Sequence, residues 1–479
     1  MLEARAHHQL KALLAREGCD PWPHHLSLSR LVARSLRRSD HTFVRLAPGC
    51  DPSWWISLLV PLALSECPLA LVVSDGTRQR LLQVELPRLG RADPSLALAC
   101  FEGDHPPADG RVWLLNHRQL VGAWQQGWLG ERQLVLPEAE HLDSLLREAL
   151  EVVLTPQHWD QLRRAQPTAE ASLLSLHERL NRLILSHPAH PNQLVGLAPE
   201  DEAPLRHLLQ LLEPLPAPWP AWLAARGSGW TSWAQVNPQL LQWQLHRQPL
   251  DPLAALKGLL IRRGAVVLGQ LSRGPSVELG LQPNVTVNLG DPPLADPLPL
   301  YAPLRQPLPN SPHYGQHLLD HARRLVLGQG GVTVVLIDDE ALRLNLTSGL
   351  AAEFGSRVVH EHTAPESNGV ICARWDWWLN QQQRLPLPSQ IVVALLPIAS
   401  LEDPLTAARV LAMRQSGQDW FREFLLPDGL NRLELGVAGL RRQGGRLAIL
   451  DGRLRGRSWG RQVLLALEPW VSLRRLLPH

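Results

Sequence analysis

Residues 385–470 read LPLPSQIVVALLPIASLEDPLTAARVLAMRQSGQDWFREFLLPDGLNRLELGVAGLRRQGGRLAILDGRLRGRSWGRQVLLALEPW. An apolar run, Ile391–Leu396, stops at Pro397. A short continuous apolar run with a hard stop is the pattern of a strand buried on both faces. An acidic turn with a proline follows (Glu402, Asp403, Pro404), then a helical pattern, a loop carrying Trp420 and Phe421, and a second helix. A further strand, Arg446–Leu450, ends at Asp451. Strands alternating with helices make an α/β unit built on a mostly parallel sheet.

The same alternation extends in both directions. Upstream, Val332–Ile337 and Val370–Ala373 are two more strands of a unit that starts near His313, giving a domain over residues 313–479. Near the N-terminus, residues 1–20 and Leu26–Leu36 have helical periods, the second carrying Arg30, Arg34, Arg37 and Arg38. Strands are expected at Thr42–Leu46, Leu69–Val73, Arg111–Leu115 and Gln133–Leu136, with a buried helix at Ser53–Leu64. Alternation pauses over residues 144–246, which are leucine-rich and helical in period, and resumes at Ala265–Leu268. The expected organisation is a first α/β lobe over 1–143 and 247–281, a helical insertion over 144–246, a Pro-rich connector over 282–312, and the second lobe. In parallel sheets the functional loops lie at the carboxyl ends of the strands.

Composition limits the function. A formal net charge of +2 over 479 residues means that any polyanion site must be a local patch. Lysine occurs only at Lys11 and Lys257. Five widely spaced cysteines, none in a C-x-x-C pair, fit reduced thiols in a cytoplasmic protein. No apolar run reaches the roughly 18 residues of a membrane span, so no membrane partner is expected. The histidine pairs His7-His8 and His24-His25 are adjacent and do not share a helix face, so no metal site is expected.

The C-terminal stretch resembles the last lobe of DinG/XPD-type superfamily 2 DNA helicases. The resemblance rests on Asp403-Pro404, Ala408-Arg409, Phe421-Arg422, Leu426-Pro427, Leu450-Asp451-Gly452-Arg453 and Trp459-Gly460. It implies two RecA-like lobes with parallel sheets, ATP and Mg²⁺ between them, and single-stranded DNA across them. Tested site by site, the chemistry is eroded. The phosphate loop of that family is similar to AGTGTGKT, where backbone N–H groups and a lysine hold phosphate and a hydroxyl holds Mg²⁺. Here the stretch is APGCDPSWWISLLVP: Gly49 remains, the lysine position falls on Ser53 or Trp54, and Pro48, Asp51 and Pro52 oppose phosphate. The DEAH box becomes Pro137-Glu138-Ala139-Glu140, leaving Glu138 without the metal-holding aspartate. Motif VI becomes Leu435–Arg442, with Gly439 on the first arginine, Arg442 on the second, and Arg441 beside it. Gly269-Gln270-Leu271-Ser272 stands for TSAT, and Arg374–Trp378 for a SFWEGVD-like box. Only Cys100 lies where an iron–sulfur cluster needs four thiolates.

No intact catalytic set is therefore expected, with Glu138 and Arg442 as relics, and no cofactor. Candidate nucleic-acid contacts are Asn116 and His117 (the family's "NH" pair), Trp375 for stacking, and Arg446, Arg453 and Arg457 for phosphate. Asp338-Asp339-Glu340 places negative charge where the family faces nucleic acid. Three readings stay open. One is a motorless helicase-like binder of single-stranded DNA or other nucleic acid, linked to repair or replication. A second is an active ATP-dependent DNA helicase with an atypical nucleotide site. The third is a protein-interaction scaffold that docks partners through residues 144–246.

Overall fold

The computed structural model describes residues 1–17, 22–48, 50, 52–105, 111–187, 193–270, 283–290, 297–327, 330–442 and 444–473. Its strands in chain order begin with β1 (His41–Leu46), β2 (Leu69–Val72), β3 (Cys100–Phe101), β4 (Val112–Leu115) and β5 (Gln133–Leu136). The first helices are α1 (Leu2–Glu17), α2 (His25–Arg38), α3 (Trp55–Leu64), α4 (Asp75–Arg80), α5 (Leu86–Ala92), α6 (His117–Gln125) and α7 (Leu142–Leu150). Then follow β6 (Val152–Leu154), β7 (Leu194–Leu197), β8 (Trp230–Asn237), β9 (Gln242–Pro249), β10 (Ala265–Gln270) and β11 (Val285–Leu289). The last are β12 (Leu298–Tyr301), β13 (Thr333–Leu336), β14 (Val358–His360), β15 (Val370–Ala373), β16 (Gln390–Val393), β17 (Arg446–Ile449) and β18 (Trp470–Ser472).

Two seven-stranded parallel sheets carry the molecule. The first runs β11-β1-β10-β5-β2-β4-β3 and the second β14-β15-β13-β16-β17-β12-β18. Every residue of β2, β4 and β5 is buried, as strands covered on both faces require. On one face Leu10, Leu28, Val32 and Leu58 of α1–α3 pack against Leu69, Leu71 and Val266. On the other, Leu120, Leu142 and Leu146 of α6 and α7 meet Trp113, Leu134 and Val267. The second sheet is sandwiched in the same way, between the helices Tyr314–Leu327 and Glu340–Phe354 and the helices Trp375–Gln381 and Leu426–Arg442.

The sequence-based layout needs three corrections. Residues 144–246 are not all helical: β6, β9, β8 and β7 form a four-stranded antiparallel sheet. In β9 the alternation is visible in hindsight, because Trp243, Leu245 and Arg247 are buried while Gln242 and Gln244 are exposed. Its core is tryptophan-rich: Trp159, Trp219, Trp222 and Trp243 pack together. The expected boundary at 143/144 cuts α7, whose Leu142 and Leu146 belong to the first lobe's core. The Pro-rich connector is also structured in part. It contributes β11 to the edge of the first sheet, with Val44 opposite Val287, and β12 to the second, with Leu300 opposite Leu447.

Candidate nucleotide cleft between the lobes

The carboxyl ends of β1, β2, β5 and β10 face the helix Trp375–Gln381 of the second lobe across a cavity of about 660 Å³. Its walls include Trp54, Ser74, Thr77, Glu138, Gln270 and Arg384. This is where parallel-sheet proteins bind ligands. Each loop around it is occupied by its own protein.

After β1, the chain turns on itself. The Cys50 N–H donates to the Ala47 carbonyl at 3.0 Å, and Pro48 and Pro52 carry no N–H at all. Trp54 and Trp55 stack with ring centroids 4.3 Å apart, and each is 4% exposed. Ser53 pairs with His25 Nε2 at 3.4 Å, while Ser57 pairs with His25 Nδ1 at 2.6 Å. The first turn of α3 is thus pinned to α2 by an imidazole. Gly49 lies outside the described residues, as does the Arg442 side chain.

After β5, both carboxylate oxygens of Glu138 are engaged, Oε1 by two hydrogen bonds and Oε2 by one. They accept from the Ser74 N–H (2.6 Å), the Ser74 hydroxyl (2.8 Å) and the Thr77 hydroxyl (2.7 Å). Ser74 also caps α4 by accepting from the Thr77 N–H. Glu140 accepts from the Gln270 N–H at 3.0 Å, and burial pushes its carboxyl above the usual range. A side chain at Gly269 would put its Cβ 2.7 Å from that of Ala139, so the close approach of these loops needs glycine.

After β4, Asn116 and Gln119 form a capping box, with Asn116 Oδ1 accepting from the Gln119 N–H at 2.9 Å and Gln119 Oε1 from the Asn116 N–H at 3.0 Å. The Asn116 amide also donates to Asp75 at 3.2 Å. His117 is 5% exposed, and burial pushes its imidazole down to about 4 against the pull of Glu138 and Asp75. It is therefore neutral in the fold at pH 7, whereas the unfolded chain takes up its proton near 6.5. The sign follows: this contribution to stability is complete above pH 6.5 and is lost as pH falls toward 4. We expect up to about 3 kcal/mol of acid destabilisation from this site. Urea titrations at stepped pH will show it flattened in His117→Gln.

Several other expected site residues have structural partners. Trp375 is 0% exposed; its Nε1 donates to the Leu395 carbonyl at 3.1 Å and its N–H to Asp338 at 2.9 Å. It is core and presents no stacking face. Arg446 opens β17 at the opposite rim of the sheet, bonding Gln390 and the Leu325 carbonyl. Arg441 ties its helix to the Leu467 and Pro469 carbonyls. Arg453 is held at 2.7 Å by the fully buried Asp451 and donates to the Leu396 carbonyl at 3.1 Å. Arg457 is exposed.

Residues that drew no attention in the sequence cross the cleft. Arg384 donates to Gln79 Oε1 at 2.9 Å, and Arg80 to Gln383 Oε1 at 3.0 Å. At the far side Arg409 lies 3.5 Å from Asp143, which also pairs with Arg147 at 2.7 Å. Only Arg409 stood in a quoted family pair; Gln79, Arg80, Gln383 and Arg384 have no local signature. On the rim Arg432 pairs with Asp376 at 2.7 Å and lies 3.6 Å from Asp338. Glu148 of α7 is raised by burial and by the negative neighbours Glu151 and Asp376, the latter from the second lobe. Among the described residues no group of cysteine, histidine or carboxylate side chains converges as a metal or cluster site, and no helix is long and apolar enough to cross a membrane.

No family model matches the chain. The ATP-dependent DNA helicase YoaA of Escherichia coli (strain K12) is 27% identical over 176 residues, which is 34% of this chain and 28% of that protein. Among solved structures, an apo XPD superposes with a TM-score of 0.61 at 12% identity, covering 93% of this chain and all of the other. An XPD helicase structure gives 0.59 at 12% identity over 94% of this chain and 99% of its own. S. tokodaii Xpd4 gives 0.56 at 12% over 92% and 97%. Over nearly its whole length, with two parallel sheets, the chain has the fold of the solved XPD structures.

Proposed function

We propose that this protein is a helicase-like nucleic-acid binder of the cytoplasm whose ATP motor is inactive, working without nucleotide, Mg²⁺ or an iron–sulfur cluster. One observation carries this reading: the Glu138 carboxylate, at the position of the water-activating glutamate, spends three of its roughly four acceptor sites on Ser74 and Thr77. A base must reach a water with a free lone pair. Phosphoryl transfer also depends on positioned cations; the cleft walls carry Arg80 and Arg384, which are bonded to Glu85, Gln383 and Gln79, and no lysine is among the lining residues. The residues around it do not fit ATP and Mg²⁺: the Cys50 N–H is turned inward, and of the two residues at the lysine position Ser53 is taken by His25 and Trp54 is stacked on Trp55.

Nucleotide binding and hydrolysis by the purified chain, with and without a single-stranded oligonucleotide, test the reading. We expect no nucleotide binding, no hydrolysis, and oligonucleotide binding that weakens with salt. DNA-stimulated hydrolysis abolished by Glu138→Gln would restore the active helicase reading. The scaffold reading draws support from one feature, the β8–β9 hairpin tip, where Leu240 and Leu241 are 63% and 71% exposed.

A further inference from the structure

The rim of the cleft is poorly suited to phosphate. Asp75, Glu148, Asp338, Asp339, Glu340 and Asp376 all lie at the ends of its strands or on the adjoining helices. The arginines of the cleft are already engaged: Arg80 with Glu85 and Gln383, Arg384 with Gln79, and Arg432 with Asp338 and Asp376. Residues 1–46 hold eight arginines and lysines against four acids, although the whole chain is only +2. The remainder is therefore net negative.

The N-terminal charge is arranged along α1 and α2. The buried side of α2 is Leu28, Val32 and Leu36, so the i, i+4, i+7 series Arg30, Arg34 and Arg37 shares the outer side, with Arg38 next to it. Arg37 bonds Glu3 at 2.8 Å, which sets the start of α1 against the end of α2 and makes the pair antiparallel. The exposed Lys11 shares the Glu3 stripe of α1 at i+8, so the antiparallel pairing sets it on the α2 side at about the level of Arg30, whereas Arg5 lies on the opposite side with Arg16, which bonds the Ala92 carbonyl. Among the described residues, Lys11, Arg30 and Arg34 make no ion pair, whereas Arg37 and Arg38 are partnered by Glu3 and Asp40. The backbone positions of Arg30 and Arg34 are about 6 Å apart along the helix axis, a spacing suited to following a phosphodiester chain. The ridge begins beside the cleft, where His25 grips α3, and runs down the outer face of the first lobe.

We infer that the α1–α2 ridge, centred on Lys11, Arg30 and Arg34, is a nucleic-acid backbone contact surface outside the cleft. This rests on the proposed nucleic-acid-binding function and names the surface that performs it. Its recognition is by charge and spacing, so it carries no base specificity. The release of counterions from the bound strand makes the contact salt-dependent.

The experiment is a fluorescence-anisotropy titration of the full chain with a labelled oligothymidine from about 50 to about 200 mM salt. The chains compared are wild type, Arg30→Glu/Arg34→Glu, and Arg30→Lys/Arg34→Lys. Thermal melts check folding, which these outward-facing changes leave intact. We expect the charge reversal to weaken binding at least about tenfold and to make the log–log salt slope shallower by about 1.4, two phosphate contacts on a single strand. The lysine variant should restore most of both. Wild-type affinity and slope in the reversal variant would overturn the ridge and leave the nucleic-acid-binding reading standing. No oligonucleotide binding by the wild type would overturn both. Capture of polyglutamate or phosphatidylserine vesicles without oligonucleotide binding would assign the ridge to another polyanion and overturn it equally.

Discussion

Trp375→Ala will destabilise the second lobe by about 3–5 kcal/mol, the range for deleting a fully buried indole. The side chain is 0% exposed and packs with Trp378, Leu433 and Val437. The fit is close: a Cβ at Gly436 would lie 2.7 Å from the Trp375 ring, so neighbouring helix backbone is already against it. Collapse of the cavity would be limited, which places the cost toward the upper end. Trp375→Phe keeps most of the ring but loses the bond to the Leu395 carbonyl and should cost about 1–2 kcal/mol. Urea unfolding measures both. A normally stable Trp375→Ala chain with impaired oligonucleotide binding would return this residue to a stacking role.

Glu138→Ala will cost about 3 kcal/mol, because it strands the Ser74 N–H and the Ser74 and Thr77 hydroxyls in a half-buried site. These bonds join the loops after β5 and β2, so the loss should appear as reduced stability of the first lobe. Glu138→Gln retains one acceptor oxygen and should cost less. A chain in which either change left stability untouched but removed ATP turnover would identify Glu138 as a base and refute the structural role given to it here.

The central strands of both lobes were legible because their physics is local. Leu69–Val72, Val112–Leu115 and Thr333–Leu336 are apolar runs bounded by turns, and they are buried on both faces. The edges were not. β11 reads VTVNL with exposed residues at every second position, and β12 contains Pro299, which argues against a strand except at special positions. The insertion was read from its leucines as helical, while β8 and β9 bury tryptophan where a helical count finds no stripe. At the site, absent lysine and misplaced prolines could be read directly. What fills the gap could not: Glu138 is served by Ser74 and Thr77, 64 and 61 residues away, and Arg384 reaches Gln79 over 305. Such partners are chosen by topology, and no spacing rule reports them. Trp375 and Arg446 mislead in the opposite direction, since residue types suited to nucleic acid also serve well as core and as braces between helices.

The connector has a mechanical consequence. Leu289 ends a strand of the first sheet and Leu298 begins a strand of the second. The nine residue steps between them reach at most about 32 Å when fully extended. However far apart the lobes drift, each stays within that leash, and their meeting is an intramolecular event. Tethers of this length hold partners at effective concentrations on the order of millimolar. Across the cleft, Arg384 meets Gln79 and Arg80 meets Gln383, contacts each worth about 1 kcal/mol. The covalent link between β11 and β12 thus caps how far the two sheets can separate and keeps the residues that cross the cleft within reach of one another.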